Sequence, residues 1–365
     1  MLKFCLLFLF PFALQAQDSI QNEWCLGFRS KTGFLAAHRG TMGHLPKDRI
    51  FCGEISLSTR LYGADFWHDN YRNPLVGVTL YGSNLGNKEY LGYGFGAYAF
   101  IEFPMAENTN NYLSWKMGCG LGYVSKVFDQ ELNPKNNATS THVNALLCLG
   151  VTGKWRFAKE YSLLYGFDLT HFSNGSTRMP NLGLNIPTIS LGVAYHWKGK
   201  NEVKVSQVNE LPKTPFFSNW KWTTVAIVST KQAFPTGGKN YPVFALNSFV
   251  WKQFKPKVGM EVGLDFISKQ SLLNYRDYIP KTQLSIFQIG AYSTYILPLN
   301  RLKFVLGMGV YLKDRYDMDN ELYHRVGMRY QFDNGLLLNL VLKTHWAKAD
   351  YVEYGIGYTL NYKKK

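Results

Sequence analysis

His171-Phe172-Ser173-Asn174-Gly175 sets an imidazole and a hydroxyl two residues apart. An ester hydrolase needs a hydroxyl made nucleophilic by an adjacent imidazole, a group that fixes the imidazole tautomer, and donors for the developing oxyanion. Residues i and i+2 of a strand share a face, so this spacing lets His171 approach Ser173 without help from the rest of the fold. The competing reading is structural. Asn174-Gly175 is a strong hairpin signal, and His171 and Ser173 would then be interfacial polar residues at a strand end.

The elements that would position the pair are strands. From Tyr161 onward, Tyr161, Leu163, Tyr165, Phe167 and Leu169 alternate with Ser162, Leu164, Gly166, Asp168 and Thr170, and His171 and Ser173 continue the apolar register. The smaller, more polar register suits a barrel interior. If the apolar register meets lipid, the His/Ser pair meets lipid too, and its chemistry is chemistry on a lipid.

The N-terminus supports export. Lys3, the apolar run Phe4 to Leu14 and Gln15-Ala16-Gln17 have the three-part layout of a secretory signal, so residues 1–16 are expected to be a cleaved signal peptide. That run is too short to span a bilayer as a helix. Aromatic content is 16%, with 24 Tyr, 25 Phe and 33 Gly, which behind an export signal matches a transmembrane β-barrel; a secreted β-sandwich is the competitor. The dyad recurs in Leu91 to Phe103, Val143 to Thr152 and Val352 to Tyr362, in runs of the length a tilted membrane strand needs. Aromatics gather at segment ends, as in Tyr195-His196-Trp197 and Trp220-Lys221-Trp222, where the membrane interfaces would lie.

These patterns predict an all-β, antiparallel transmembrane barrel. Roughly eight segments fall between Trp24 and Trp197 and roughly eight between Trp220 and Tyr362. One closed barrel of about fourteen to sixteen strands is expected, because closure removes edges; two eight-stranded barrels are the alternative. Residues 17–197 form the half carrying the site, 198–219, with Pro212 and Pro215, a connector, and 220–365 a second half of unassigned role. With a periplasmic N-terminus the seventh segment runs outward, placing the loop Asn174 to Leu184 outside the cell and the pair in the outer leaflet.

His171-Phe172-Ser173-Asn174-Gly175 followed by Pro180-Asn181-Leu182-Gly183 resembles the active-site signature of the outer-membrane lipid A deacylases of the PagL type, the acyloxyacyl hydrolases. The likeness is sharp over about twenty residues and loose over the first half of the mature chain. It implies Ser173 as nucleophile, His171 as general base, and Asn174 with nearby backbone amides, Gly175 among them, as the oxyanion site. Where such enzymes carry Glu, two residues after the Gly of Pro-Asn-x-Gly, this chain has Asn185. An Asn carbonyl can hold an imidazole, although it does not stabilise imidazolium as a carboxylate does. A hairpin pairing Leu169–Ser173 with Asn185–Ile189 would set Asn185 beside His171. Asp168 is the other candidate partner, in the inward register.

The formal net charge is +15, one less once Lys3 leaves with the signal, and a basic surface suits lipopolysaccharide phosphates, with Arg178 a candidate substrate contact. Lys and Arg are spread along the chain without a recognised module, so nucleic acid is not an expected partner. No cofactor or metal is expected. Cys25, Cys52, Cys119 and Cys148 lack zinc-site spacing, although Cys25 and Cys52 are a candidate disulfide. Asp314, Asp317, Asp319 and Glu321 lack the ligand spacing of a calcium loop. Three functions follow. One is lipid A ester hydrolysis at a 3-hydroxyacyl chain, another a porin, and the third a phospholipase or acyltransferase using the same dyad.

Overall fold

The computed structural model describes residues 23–63, 65–199, 215–232, 236–274, 281–314, 321–346 and 348–360. The expected signal peptide, residues 200–214 of the connector, and Asp317 and Asp319 lie outside them. No described helix is long and apolar enough to cross a membrane; the crossing elements are strands.

The first eight are β1 (Glu23–Gly33), β2 (Ile50–Arg60), β3 (Leu75–Asn84), β4 (Tyr93–Glu107), β5 (Asn111–Val124), β6 (Val143–Arg156), β7 (Tyr161–Ser173) and β8 (Leu184–Lys198). The second eight are β9 (Lys221–Gln232), β10 (Asn240–Lys255), β11 (Val258–Lys269), β12 (Phe287–Leu299), β13 (Leu302–Lys313), β14 (Leu322–Gln331), β15 (Leu336–His345) and β16 (Lys348–Thr359).

The sheet closes twice. β1 pairs antiparallel with β8, matching Phe28 to Val193, and β16 pairs with β9, matching Ile356 to Ala226. The expected single barrel of about fourteen to sixteen strands therefore gives way to its alternative, two closed eight-stranded barrels. The reason is local: each block of eight satisfies its own edge groups, so neither needs the other to close.

Alternation along the strands separates lipid-facing from interior positions, as the sequence predicts. In β7, Tyr161, Tyr165, Phe167 and Leu169 are exposed while Ser162, Leu164, Asp168 and Thr170 are buried. The interiors are filled. In the first barrel Lys31 bonds Glu54 at 2.6 Å and Asp168 at 2.8 Å, and Tyr98 donates to Glu54 at 2.7 Å. In the second, Arg325 meets Glu353 at 2.6 Å and Asp265 at 3.0 Å, and Arg329 pairs with Glu261. Burying these groups without partners would be costly, and pairing them lets a small barrel carry a polar core. Lys31, Lys116, Arg325 and Tyr323 are each less than 2% exposed, so large polar side chains occupy both interiors.

At its upper end the first barrel is stoppered by an apolar cluster of Leu35, Met42, Leu45, Leu85, Leu91 and Phe172, which anchors the loops there. The four cysteines are free thiols. Cys25 lies opposite Ser58 and Cys52 opposite Lys31, six residues apart along one hairpin, which rules out the candidate Cys25–Cys52 bridge.

The barrels lie side by side and touch at both ends. Tyr71 donates to the Pro298 carbonyl at 3.2 Å, above a cluster of Trp67, Tyr71, Ile101 and Leu299. At the loop-rich end Gln130 donates to the Thr236 carbonyl at 3.1 Å, and the Met179 amide donates to the Gln232 side chain at 2.5 Å.

Candidate active site

β7 and β8 form the hairpin that carries the site, and their register sets Leu169 opposite Pro187 and His171 opposite Asn185. That is the pairing expected from the odd-numbered registers of both strands. Directly opposed residues of an antiparallel pair project to the same face with side chains in contact. The Nδ1 of His171 lies 2.6 Å from Oδ1 of Asn185, a hydrogen bond with Nδ1–H as donor. With Nδ1 protonated, Nε2 is left as the basic nitrogen. Asp168, the other candidate partner, points inward to Lys31 and Thr188 and plays no part here.

Ser173 stands on the same outward face, two residues on. Its Oγ accepts from the Gly175 amide at 3.2 Å and from the Asn181 side chain at 2.9 Å. Among the described residues it has no hydrogen bond to His171. The Asn181 carbonyl oxygen in turn accepts from the Asn174 amide at 3.1 Å, which fixes which end of the Asn181 amide faces Ser173. Asn181 lies in the Pro-Asn-x-Gly element, but sequence reasoning gave it no role. The motif was the signal that could have done so.

The loop 174–183 is held by its own backbone and by its neighbours. Gly175 has φ +65° and Gly183 φ +80°, conformations that favour glycine. A Cβ on Gly183 would come within 2.7 Å of Cε1 of His171, so the glycine gives the ring its room. A Cβ on Gly175 would collide with Val352 of the second barrel. The Asn174 side chain, expected at the oxyanion site, donates to the Arg178 carbonyl at 2.9 Å and to Ser140 at 3.4 Å; it staples the loop. The Gly183 amide donates to the Ala138 carbonyl at 2.8 Å, tying the loop to the β5–β6 connection.

Arg178 is exposed at the loop crest. Across from it Asp129 is held below the ordinary carboxylate range, chiefly by the Leu132 and Glu131 amides and further by the Arg178 charge. His38, on the β1–β2 connection, completes the cluster. Its Nδ1 lies 3.0 Å from Nδ2 of Asn185. Nothing in the sequence marks His38, because the segment 34–49 has no strand periodicity and no motif links it to β8.

Closed antiparallel barrels with an apolar, aromatic outer wall and a polar interior filled by side chains define an integral outer-membrane β-barrel protein. A family model described as lipid A 3-O-deacylase (PagL) matches residues 53–194, and one described as acyloxyacyl hydrolase, C-terminal domain (PagL_C), matches residues 220–362. The chain belongs to the PagL family of lipid A 3-O-deacylases, outer-membrane hydrolases, with one family region in each barrel. Among solved structures, it resembles a deletion mutant of the TodX monoaromatic hydrocarbon channel at 10% identity and TM-score 0.20, covering 94% of this chain and 91% of that one. A triple mutant of the Rhodopseudomonas blastica porin matches at 7% identity and TM-score 0.17, covering 93% and 100%. No curated protein matches the chain.

Proposed function

We propose that the protein hydrolyses an ester-linked 3-hydroxyacyl chain of lipid A by nucleophilic catalysis on the outside of the first barrel. The observation that carries this is the His171–Asn185 hydrogen bond beside Ser173, whose hydroxyl already faces two N–H donors. Ser173 Oγ attacks the ester carbonyl while Nε2 of His171 takes its proton. The Asn185 carbonyl keeps Nδ1 protonated throughout, so the ring stays in the basic tautomer.

The tetrahedral oxygen then needs donors near Oγ, and the Gly175 amide and Asn181 side chain supply them. Collapse breaks the bond to the sugar oxygen, which leaves with the proton from Nε2. Water, deprotonated by the same nitrogen, cleaves the acyl-serine and restores the hydroxyl. Asn185 holds the ring but adds no negative charge, so the imidazolium of the transition state is less stabilised than beside a carboxylate. Arg178, exposed in the same loop, would contact a phosphate of the substrate headgroup.

Mass spectrometry of lipid A from cells expressing the wild type or Ser173→Ala tests this reading. Loss of one 3-hydroxyacyl mass in the wild type alone is the expected result. Identical lipid A, with altered phospholipids in the wild type, would assign the dyad to a phospholipase or acyltransferase.

A further inference from the structure

We propose that His38 is a positioning residue for the deacylation, acting by fixing which end of the Asn185 amide faces His171. This rests on the mechanism above, in which His171 is the base.

A carboxylate presents an oxygen to its imidazole whichever way it turns. An amide presents an oxygen one way and an NH2 the other. If Nδ2 of Asn185 faced His171, Nδ1 would have to accept, the ring proton would move to Nε2, and the base would be lost. Replacing the family's Glu with Asn185 therefore creates a need for a second group that recognises the NH2 end. His38 is that group, with its Nδ1 at 3.0 Å from Nδ2 of Asn185 while Oδ1 lies 2.6 Å from His171.

The backbone delivers His38 there. Beyond β1 the chain continues along β8, the Ala36 amide donating to the Asn185 carbonyl at 2.9 Å and the His38 amide to the Ala36 carbonyl at 3.0 Å. The orienting action requires neutral His38, since an imidazolium would offer N–H at Nδ1 and favour the reversed amide.

The test uses the full chain in detergent micelles with lipid A as substrate. His38→Ala is expected to lower kcat about fivefold, the equivalent of one lost neutral hydrogen bond, and to leave KM unchanged. In an Asn185→Asp background, where an oxygen faces His171 either way, His38→Ala should not change kcat. An equal loss in both backgrounds, or an unchanged kcat in the wild-type background, would overturn the proposal.

Ring nitrogen NMR of His171 reads the tautomer independently of turnover. The expected result is an Nδ1–H form in the wild type and a mixture of tautomers in His38→Ala. An unchanged tautomer sinks the role of His38, whereas an Nδ1–H wild type whose turnover survives Ser173→Ala sinks the mechanism instead.

Discussion

The seventh and eighth strands of the two barrels form equivalent hairpins with opposite outcomes. In the first, β7 ends in outward-facing His171 and Ser173, and a loop of residues 174–183 folds back over them. In the second, β15 also ends in a histidine, His345, but β16 begins only three residues later, and in β15 the odd positions face inward. His345 consequently meets the Tyr311 hydroxyl at 3.0 Å and lies 3.9 Å from Asp350 in the barrel interior. One residue of parity decides whether a strand-end histidine faces lipid or core. The loop decides whether it has anything to work with.

The largest contrast should therefore appear in turnover. Ser173→Ala and His171→Ala are each expected to lower deacylation about a thousandfold or more, whereas His345→Ala should leave the rate within about twofold, since surface-remote changes of this kind carry no catalytic group. A comparable loss from His345→Ala would erase the distinction between the hairpins.

The interiors differ as well. Lys31 is locked between Glu54 and Asp168, while the Nζ of Lys343, equally buried, has no hydrogen-bond partner among the described residues and lies 3.8 Å from the centre of the Tyr323 ring. Unfolding in micelles should show Lys31→Met destabilised by about 3–5 kcal/mol, because buried Asp168 loses its ion-pair partner and Glu54 keeps only Lys116 at 3.9 Å, and Lys343→Met within about 1 kcal/mol of the wild type.

The second barrel also bears on the site of the first through Val352, which occupies the space a side chain on Gly175 would need. Gly175→Ala is expected to cost about tenfold in kcat from backbone strain and collision together, and Gly175→Ala/Val352→Ala should recover part of that loss. No recovery would leave the barrel contact without influence on the loop. The smallest expected signal is in planar bilayers, where neither barrel should conduct ions; steps that persist in Ser173→Ala would restore the porin reading.

The site was legible in sequence to the extent that periodicity and motif reach. Alternation through Tyr161–Leu169 and Ile189–Trp197 gave the outward register, and from it the pairing of His171 with Asn185, because a period of two leaves no freedom once one face meets lipid. Closure was not legible. Whether β8 returns to β1 or passes to β9 depends on strand tilt and stagger, which the alternation of side chains does not encode. Asn181 was visible as a motif letter without a partner. His38 was invisible, since its role depends on a non-periodic connection crossing over β8.

The outward placement of Ser173 changes what substrate concentration means for this enzyme. In the proposed mechanism the Ser173 hydroxyl meets a two-dimensional fluid, so its occupancy follows the mole fraction of acceptable lipid in the surrounding leaflet. Adding inert lipid at constant total substrate should slow the reaction by dilution within the surface, and both product chains leave the way the substrate came, by sliding sideways.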